Sequence, residues 1–281
     1  MAESTWPAPA KLNLFLHILG REPSGYHRLQ SLYQILDWGD ELDIQATGTG
    51  PPVLRAPTPG VPADQDLALR AARLLQQHTG SSAGAVIRVR KRIPLGAGLG
   101  GGSSDAATVL CVLNKLWACD LDRAELAELG LQLGADVPLF VHGHTAWGEG
   151  RGERLSPLAQ GEQWYVLVLP DLRISTAEVF GDPDLKRDSR TLAPDDYRFD
   201  RTRNDCQPAV LARYPKLREM VAELSDWGAP RMTGTGSAFF IRVADEATAR
   251  EITRALNSRY NVRAVRGVDQ SMLLEKLAGA C

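Results

Sequence analysis

Apolar and polar positions alternate strictly near the start of the chain. From Lys11 to Ile18, Leu12, Leu14, Leu16 and Ile18 share one side while Lys11 and Asn13 share the other, the two-residue period of a β-strand. Alternation alone places Lys11 and Asn13 on a solvated strand surface. Residues 21–27 (Arg-Glu-Pro-Ser-Gly-Tyr-His) predict a turn that delivers two ring side chains, Tyr26 and His27. Residues 31–44 predict further strand with a turn at Trp38-Gly39-Asp40, and the Gly-, Pro- and Thr-rich residues 47–62 a surface excursion. Between Asp66 and Gly80 the period changes to that of a helix, with Leu67, Ala71, Leu74 and Leu75 on one stripe and Gly80 as the stop. Residues 85–93 return to strand, where Ile87 and Val89 alternate with Arg88 and Arg90. Helical patterns follow over 105–117 and again after Asp122, whose partner Glu125 completes a capping box, with Gly134 as the close.

The second half reads in the same way. Strand is expected over 165–169, irregular chain over 176–185, and helices over 206–214 and 216–227 with Pro208 and Pro215 near their starts. A strand over 238–243, a helix over 245–259 and a strand over 261–268 complete a small α+β sandwich. Glycines and alternating charges between Gly148 and Pro157 suggest a boundary, dividing the chain into domains 1–155 and 156–281.

Composition narrows the class. Of 281 residues, 44% are hydrophobic and 23% charged, the balance of an ordinary globular protein. A net charge of −2 gives no electrostatic footprint for a nucleic acid polymer or an anionic membrane. Met1 to Trp6 has no basic leader pattern and no apolar run approaches a membrane span, so a cytoplasmic location is expected. The cysteines, Cys111, Cys119, Cys206 and Cys281, lack metal-ligand spacing, and Cys111 falls on the apolar face of a helix as a buried thiol.

The chemistry concentrates in one stretch, Pro94-Leu95-Gly96-Ala97-Gly98-Leu99-Gly100-Gly101-Gly102-Ser103-Ser104, set between a strand pattern and a helix pattern. Glycine lacks Cβ, so its backbone N–H groups can approach a ligand closely. Ser103 and Ser104 stand where a helix N-cap is expected. Free amides leading into the positive end of a helix make a cradle for an anion. No Lys lies between Lys91 and Lys115, which excludes a P-loop. Gly96, Gly98 and Gly101 do match the dinucleotide fingerprint, with Asp120 and Asp122 about twenty residues on, so a Rossmann-type NAD(P) oxidoreductase competes. Against it, a parallel central strand is apolar on both faces, whereas 86–90 has one wet face and suits an antiparallel sheet. Asp136, between Gly134 and Pro138, is on local pattern a helix cap.

Taken together, residues 9–13 (Pro-Ala-Lys-Leu-Asn), 94–107 and 232–237 (Met-Thr-Gly-Thr-Gly-Ser), in that order, resemble the GHMP small-molecule kinases over nearly the whole chain. Within them, 10–14, Gly25-Tyr26-His27, 98–107 and 134–138 are similar to the branch whose acceptor is a sugar alcohol carrying a cytidine diphosphate group, in the non-mevalonate isoprenoid route. The resemblance implies an N-terminal ATP-binding domain with a mixed or antiparallel sheet plus helices, and a C-terminal ferredoxin-like α+β sandwich. It implies ATP, as Mg-ATP, donating a phosphoryl group to the C2 hydroxyl, with Asp136 as base, Lys11 beside it, and Pro94 to Ser104 around the triphosphate. Tyr26 and His27 would hold the cytosine, with Phe180 as a second stacking face and Asn13, Thr176, Thr235 and Ser237 as polar contacts. Thr233-Gly234-Thr235-Gly236 would back the site, and a monomer or weak homodimer is expected. Other members hold magnesium through a motif serine and a glutamate; Ser103 or Ser104 would serve, but no glutamate is identifiable and no metal ligand is assigned. Mevalonate- and homoserine-type kinases are the alternative within the superfamily, but their substrates leave Tyr26-His27 without a base. A sensor that has lost catalysis would have no need of Lys11 and Asp136.

Overall fold

The computed structural model describes residues 4–279; the expectations for the first three residues and for Cys281 lie outside it. The first half contains β1 (Ser4–Arg21), β2 (His27–Thr49), β3 (Val53–Leu54), α1 (Leu67–Thr79), β4 (Ala83–Arg90), α2 (Gly101–Leu116), α3 (Arg123–Leu131), α4 (Val137–His142), β5 (Ala146–Glu149) and β6 (Arg154–Pro157). The second half contains β7 (Gln163–Val168), α5 (Thr176–Gly181), α6 (Gln207–Arg213), α7 (Pro215–Leu224), β8 (Arg231–Met232), β9 (Phe239–Val243), α8 (Glu246–Leu256), β10 (Val262–Val268) and α9 (Met272–Gly279). The architecture is α+β, as the periodicities imply.

β1 and β2 form a long antiparallel ribbon, and the expected turn at Trp38-Gly39-Asp40 is corrected: β2 runs straight through it. What happens there is a slip of register. Pro9 faces Gly39 but Lys11 faces Ile35, so Ala10 opposes the three residues between them. Gly39 is required at this crossing, because a Cβ there would lie 2.1 Å from the Ala8 carbonyl oxygen. At the slip, Ile35 and Leu36 pair with Val268 and Gly267 of β10, joining the halves into one ten-stranded sheet. Further along β2, β4 pairs antiparallel with Arg90 opposite Glu41, and only the two-residue β3 runs parallel to β4. A doubly wound parallel sheet is thereby excluded, and the dinucleotide reading with it. Asp120 and Asp122 serve local structure instead: Asp120 sits at φ +56° and Asp122 caps α3 with Glu125 in a capping box.

α2 begins four residues before its expected start. Gly100, at φ +73°, is its cap residue, and no side chain caps it, which corrects the capping role expected for Ser103 and Ser104. α5 was expected to be irregular chain, and α9 has no counterpart among the expected elements. α1 ends as the pattern implies, with Asp66 accepting from Ala68 and Leu69 and Gly80 at φ +67°.

Alternation in β7 and β9 divides the core. Val166, Val168, Phe239 and Ile241 pack against Val210, Leu217, Met220, Leu224 and Ile252 of α6, α7 and α8. Tyr165, Leu167 and Phe240 point the other way, into a cluster with Leu12, Phe15, Ile93, Ala97 and Leu99. The apolar residues of the glycine stretch are therefore anchors: burying Leu99, 1% exposed, is worth about 1.5–3 kcal/mol and fixes the loop to the sheet. The third cluster gathers α1 to α4 on β2 and β4, and it includes Leu273 of α9. Cys111 and Cys206 are buried, and burial pushes both thiols up to about 12.

Candidate active site

The glycine stretch is pinned from behind. Its Ala97 carbonyl accepts from the Ala238 N–H, its Gly98 carbonyl from Thr233 Oγ1 at 3.2 Å, and its Leu99 carbonyl from the Lys11 N–H at 3.1 Å. Gly96, Gly98 and Gly100 all lie at φ between +69° and +75°, alternating with residues of ordinary conformation. Alternation of this kind turns successive amides to one side, the geometry of a concavity able to hold an anion. Among the described residues no hydrogen bond uses a backbone N–H from Gly96 to Ser103 as donor. At its end the 16-residue α2 adds the partial positive charge of its N-terminus.

The loop borders a cleft of about 960 Å³. Every residue from Pro94 to Ser103 lines it, and so do Lys11, Asn13, Tyr26, His27, Asp136, Thr176, Phe180 and Thr235. Ser104 does not: it is fully buried in the first turn of α2, and its hydroxyl has no protein partner. Ser237 is likewise buried, donating to the Leu172 carbonyl.

Lys11 is 3% exposed, so its expected position on a wet strand surface is corrected. That face of β1 is covered by the loop: Lys11 Cε would lie 3.3 Å from a Cβ at Gly100. Its ammonium donates to Asn13 Oδ1 at 2.5 Å and stands 3.6 Å from the Asp136 carboxylate. Burial lowers the Lys11 pKa, and the negative charge of Asp136 works against that shift. Asn13 is held in turn: its Nδ2 donates to Ser31 at 2.8 Å and its N–H to Thr233 Oγ1 at 2.9 Å. Asp136 occupies the cap position of α4 yet accepts no capping hydrogen bond. Its carboxylate is turned to Lys11, and the capping role suggested by local pattern is corrected.

At the other end of the cleft, Tyr26 is 56% exposed, with the Arg151 guanidinium 3.7 Å from its ring centroid. His27 is stacked on Phe180, centroids 4.9 Å apart and planes at 19°. Phe180 was expected as the ring opposite Tyr26; here it lies on the histidine. Arg187 Nε donates to His27 Nε2 at 3.0 Å. Thr176 and Thr235 hydroxyls meet at 3.0 Å across the cleft wall. Sequence reasoning did not reach Lys91, Arg151 or Arg187. Arg187 lies in irregular chain without periodicity, and only its position seven residues after Phe180 connects it to the His27 and Phe180 end of the cleft.

Among the described residues no group of three or more His, Cys, Asp or Glu side chains is placed to hold a metal ion. The carboxylate on the cleft wall, Asp136, is already paired with Lys11. These residues do not form a protein-built magnesium cage.

The model of the GHMP kinases N terminal domain matches residues 66–144, and that of the GHMP kinases C terminal domain residues 183–262. The chain is 53% identical to 4-diphosphocytidyl-2-C-methyl-D-erythritol kinase of Alkalilimnicola ehrlichii, over 98% of this chain and 94% of that protein. It is 48% identical to the protein of the same name from Halorhodospira halophila, over 99% and 97%. A crystal structure of 4-(cytidine 5'-diphospho)-2C-methyl-D-erythritol kinase superposes with a TM-score of 0.83 at 33% identity, covering 95% of this chain and 99% of that one. Homoserine kinase from Cytophaga hutchinsonii, at 14% identity and a TM-score of 0.70 over 95% of each chain, shares the fold. The chain is a GHMP kinase and belongs to the 4-diphosphocytidyl-2-C-methyl-D-erythritol kinase family.

Proposed function

We propose that this kinase transfers the γ-phosphoryl group of ATP to the C2 hydroxyl of 4-diphosphocytidyl-2-C-methyl-D-erythritol, giving the 2-phosphate and ADP. One observation carries the reading: the pair of buried Lys11 with half-exposed Asp136 and the uncommitted amides of Gly96 to Ser103 open onto one cleft. The amides and the start of α2 cradle the triphosphate, which supplies positioning and charge stabilisation, the main demands of phosphoryl transfer. Asp136 accepts the hydroxyl proton as the new O–P bond forms and the bond to the β-phosphate oxygen breaks. Lys11 keeps the carboxylate oriented and offsets charge on the alkoxide and the phosphoryl oxygens. Asn13 has both ends of its amide engaged within the protein, so it acts by holding Lys11. Tyr26 and His27 take the cytosine, while Thr176 and Thr235 contribute polar contacts. ATP enters as its magnesium complex. A division into domains 1–155 and 156–281, a cytoplasmic location and a monomeric or weakly dimeric state belong to the same proposal.

An ADP-release assay over a panel tests it: the cytidyl methylerythritol, its uridyl analogue, mevalonate, homoserine and galactose. The cytidyl compound is expected to give the highest kcat/KM. Asp136→Asn should lower kcat by about 10²–10⁴ with little change in Tm. Preference for mevalonate or homoserine, or substantial turnover by Asp136→Asn, overturns the assignment.

A further inference from the structure

Arg187 is a cation at the base end of the cleft that the chemistry above leaves unused. Its Nε donates to His27 Nε2 at 3.0 Å and its Nη1 to the Leu185 carbonyl at 2.9 Å. Its Nη2 donates to the carbonyls of Phe180 and Asp182 at 3.0 and 2.6 Å. A guanidinium offers donors only and stays charged, so the histidine nitrogen it meets must present a lone pair. A neutral imidazole with its lone pair on Nε2 carries its proton on Nδ1. Full protonation is opposed as well. Burial, then the charges of Arg187 and Arg21, lower the His27 pKa, and these two arginines are the charged groups that face it. Phe180 stacks on the same ring and gives its backbone carbonyl to the same guanidinium, so Arg187 is tied to both residues.

We propose that Arg187 is a positioning residue that sets nucleobase specificity: it locks His27 as the Nδ1–H tautomer, a fixed donor that selects cytosine over uracil. The inference rests on the reading of Tyr26 and His27 as the base site. Cytosine carries a lone pair at N3, next to its O2, whereas uracil carries N3–H. A histidine free to exchange tautomers could accept from uracil as readily as it donates to cytosine. Held by Arg187 it cannot, and a uracil would set N–H against N–H in a half-buried site, leaving both donors unpaired.

The first test is nitrogen-15 NMR of the wild-type protein, with the His27 signals identified by their loss in His27→Gln. The expected spectrum shows Nδ1 protonated, Nε2 bare, and titration below the ordinary histidine value of about 6.5. The second test measures kcat/KM for the cytidyl substrate and its uridyl analogue. In Arg187→Gln, whose amide can donate or accept, the cytidyl-to-uridyl ratio should fall about 10–100-fold, mainly through KM, and the His27 pKa should move back up. Arg187→Lys, which keeps a cationic donor, should restore most of the ratio. A wild-type Nε2–H tautomer, or an unchanged ratio in Arg187→Gln, overturns the inference while the kinase assignment stands. Absence of wild-type turnover on the cytidyl compound defeats both. Should Arg187→Gln fail to fold, the wild-type spectrum alone decides.

Discussion

Beneath the loop, Lys91 is shared by two acidic side chains. Its ammonium bonds Asp40 and also Asp105, the latter at 2.8 Å, and Asp40 in turn accepts the Arg92 and Ile93 N–H groups that lead into the loop. Burial works against the Lys91 charge, but Asp105 and Asp40 together raise its pKa. One ammonium balances one carboxylate. The second is left in a dry site, and burial pushes Asp105 up to about 7 despite the pull of Lys91. An unfolded Asp titrates near 3.9. Between about 4 and 7 the folded chain therefore holds more protons than the unfolded one, and Asp105 costs stability progressively as pH rises through that window. Asp105→Asn should remove this slope: against wild type, its Tm should gain a few degrees between pH 5 and pH 8, as differential scanning calorimetry can read. A constant difference across that range would show that Asp105 does not titrate there. Single residues of this kind are the least legible in sequence. Lys11 obeys the alternation of an exposed strand face, and what buries it is the glycine stretch laid over that face, a tertiary contact that local pattern does not show. Asp136 looks like a cap for the same reason: local pattern does not show a partner 125 positions away.

At the scale of elements, the glycine stretch and α2 act as one device, and its conformation is testable at a single position. Gly98 lies at φ +75°, and a Cβ there would stand 2.2 Å from the Thr233 carbonyl oxygen. Gly98→Ala thus combines a left-handed backbone, costing about 1–2 kcal/mol, with a clash that pushes the loop off the second-half backbone behind it. The expected result is a lower Tm and a KM for ATP raised about tenfold or more, since the amides lose the alignment on which anion binding depends. Gly48→Ala, where an added methyl meets nothing within 4 Å, is the control for handling effects. Wild-type KM for ATP in Gly98→Ala would mean that the loop does not hold the triphosphate. Elements with strong periodicity or explicit caps, such as α1, α3 and α8, were legible because cap chemistry and stripe sit within one short window. The start of α2 was not, because glycine gives no helix signal and the cap and first turn are Gly100, Gly101 and Gly102, packed against Phe140, Lys11, Ile93 and Leu67 from distant parts of the chain.

For the whole molecule, the lesson lies in how the last residues return to the first half. α9 carries no expectation from sequence, yet Leu273 is fully buried in the cluster with Val137, Leu139 and Phe140. Ser271 donates to the Gly143 carbonyl at 2.9 Å, and a Cβ on Gly143 would lie 2.7 Å from Leu274. Gly143 closes the short helix α4 that opens at Asp136. The tail therefore braces the far end of the helix on which the proposed base is mounted, and β10, immediately before it, is the strand that joins the two halves of the sheet. Sequence made the two halves legible because each has its own run of strand and helix periods; it gave no sign of this return, which depends on where β10 happens to end. Leu273→Ala should cost about 2–5 kcal/mol, with the exact value set by how far the cavity collapses. At about 2–4 °C per kcal/mol for a chain of this size, the Tm should fall by roughly 4–20 °C. The more informative readout is kinetic. If α9 positions Asp136 through α4, kcat should fall several-fold at a temperature where the variant is still folded, while KM for ATP, set by the loop, changes far less. A lower Tm with unaltered kcat would make α9 a packing element alone and leave Asp136 positioned by its own loop and by Lys11.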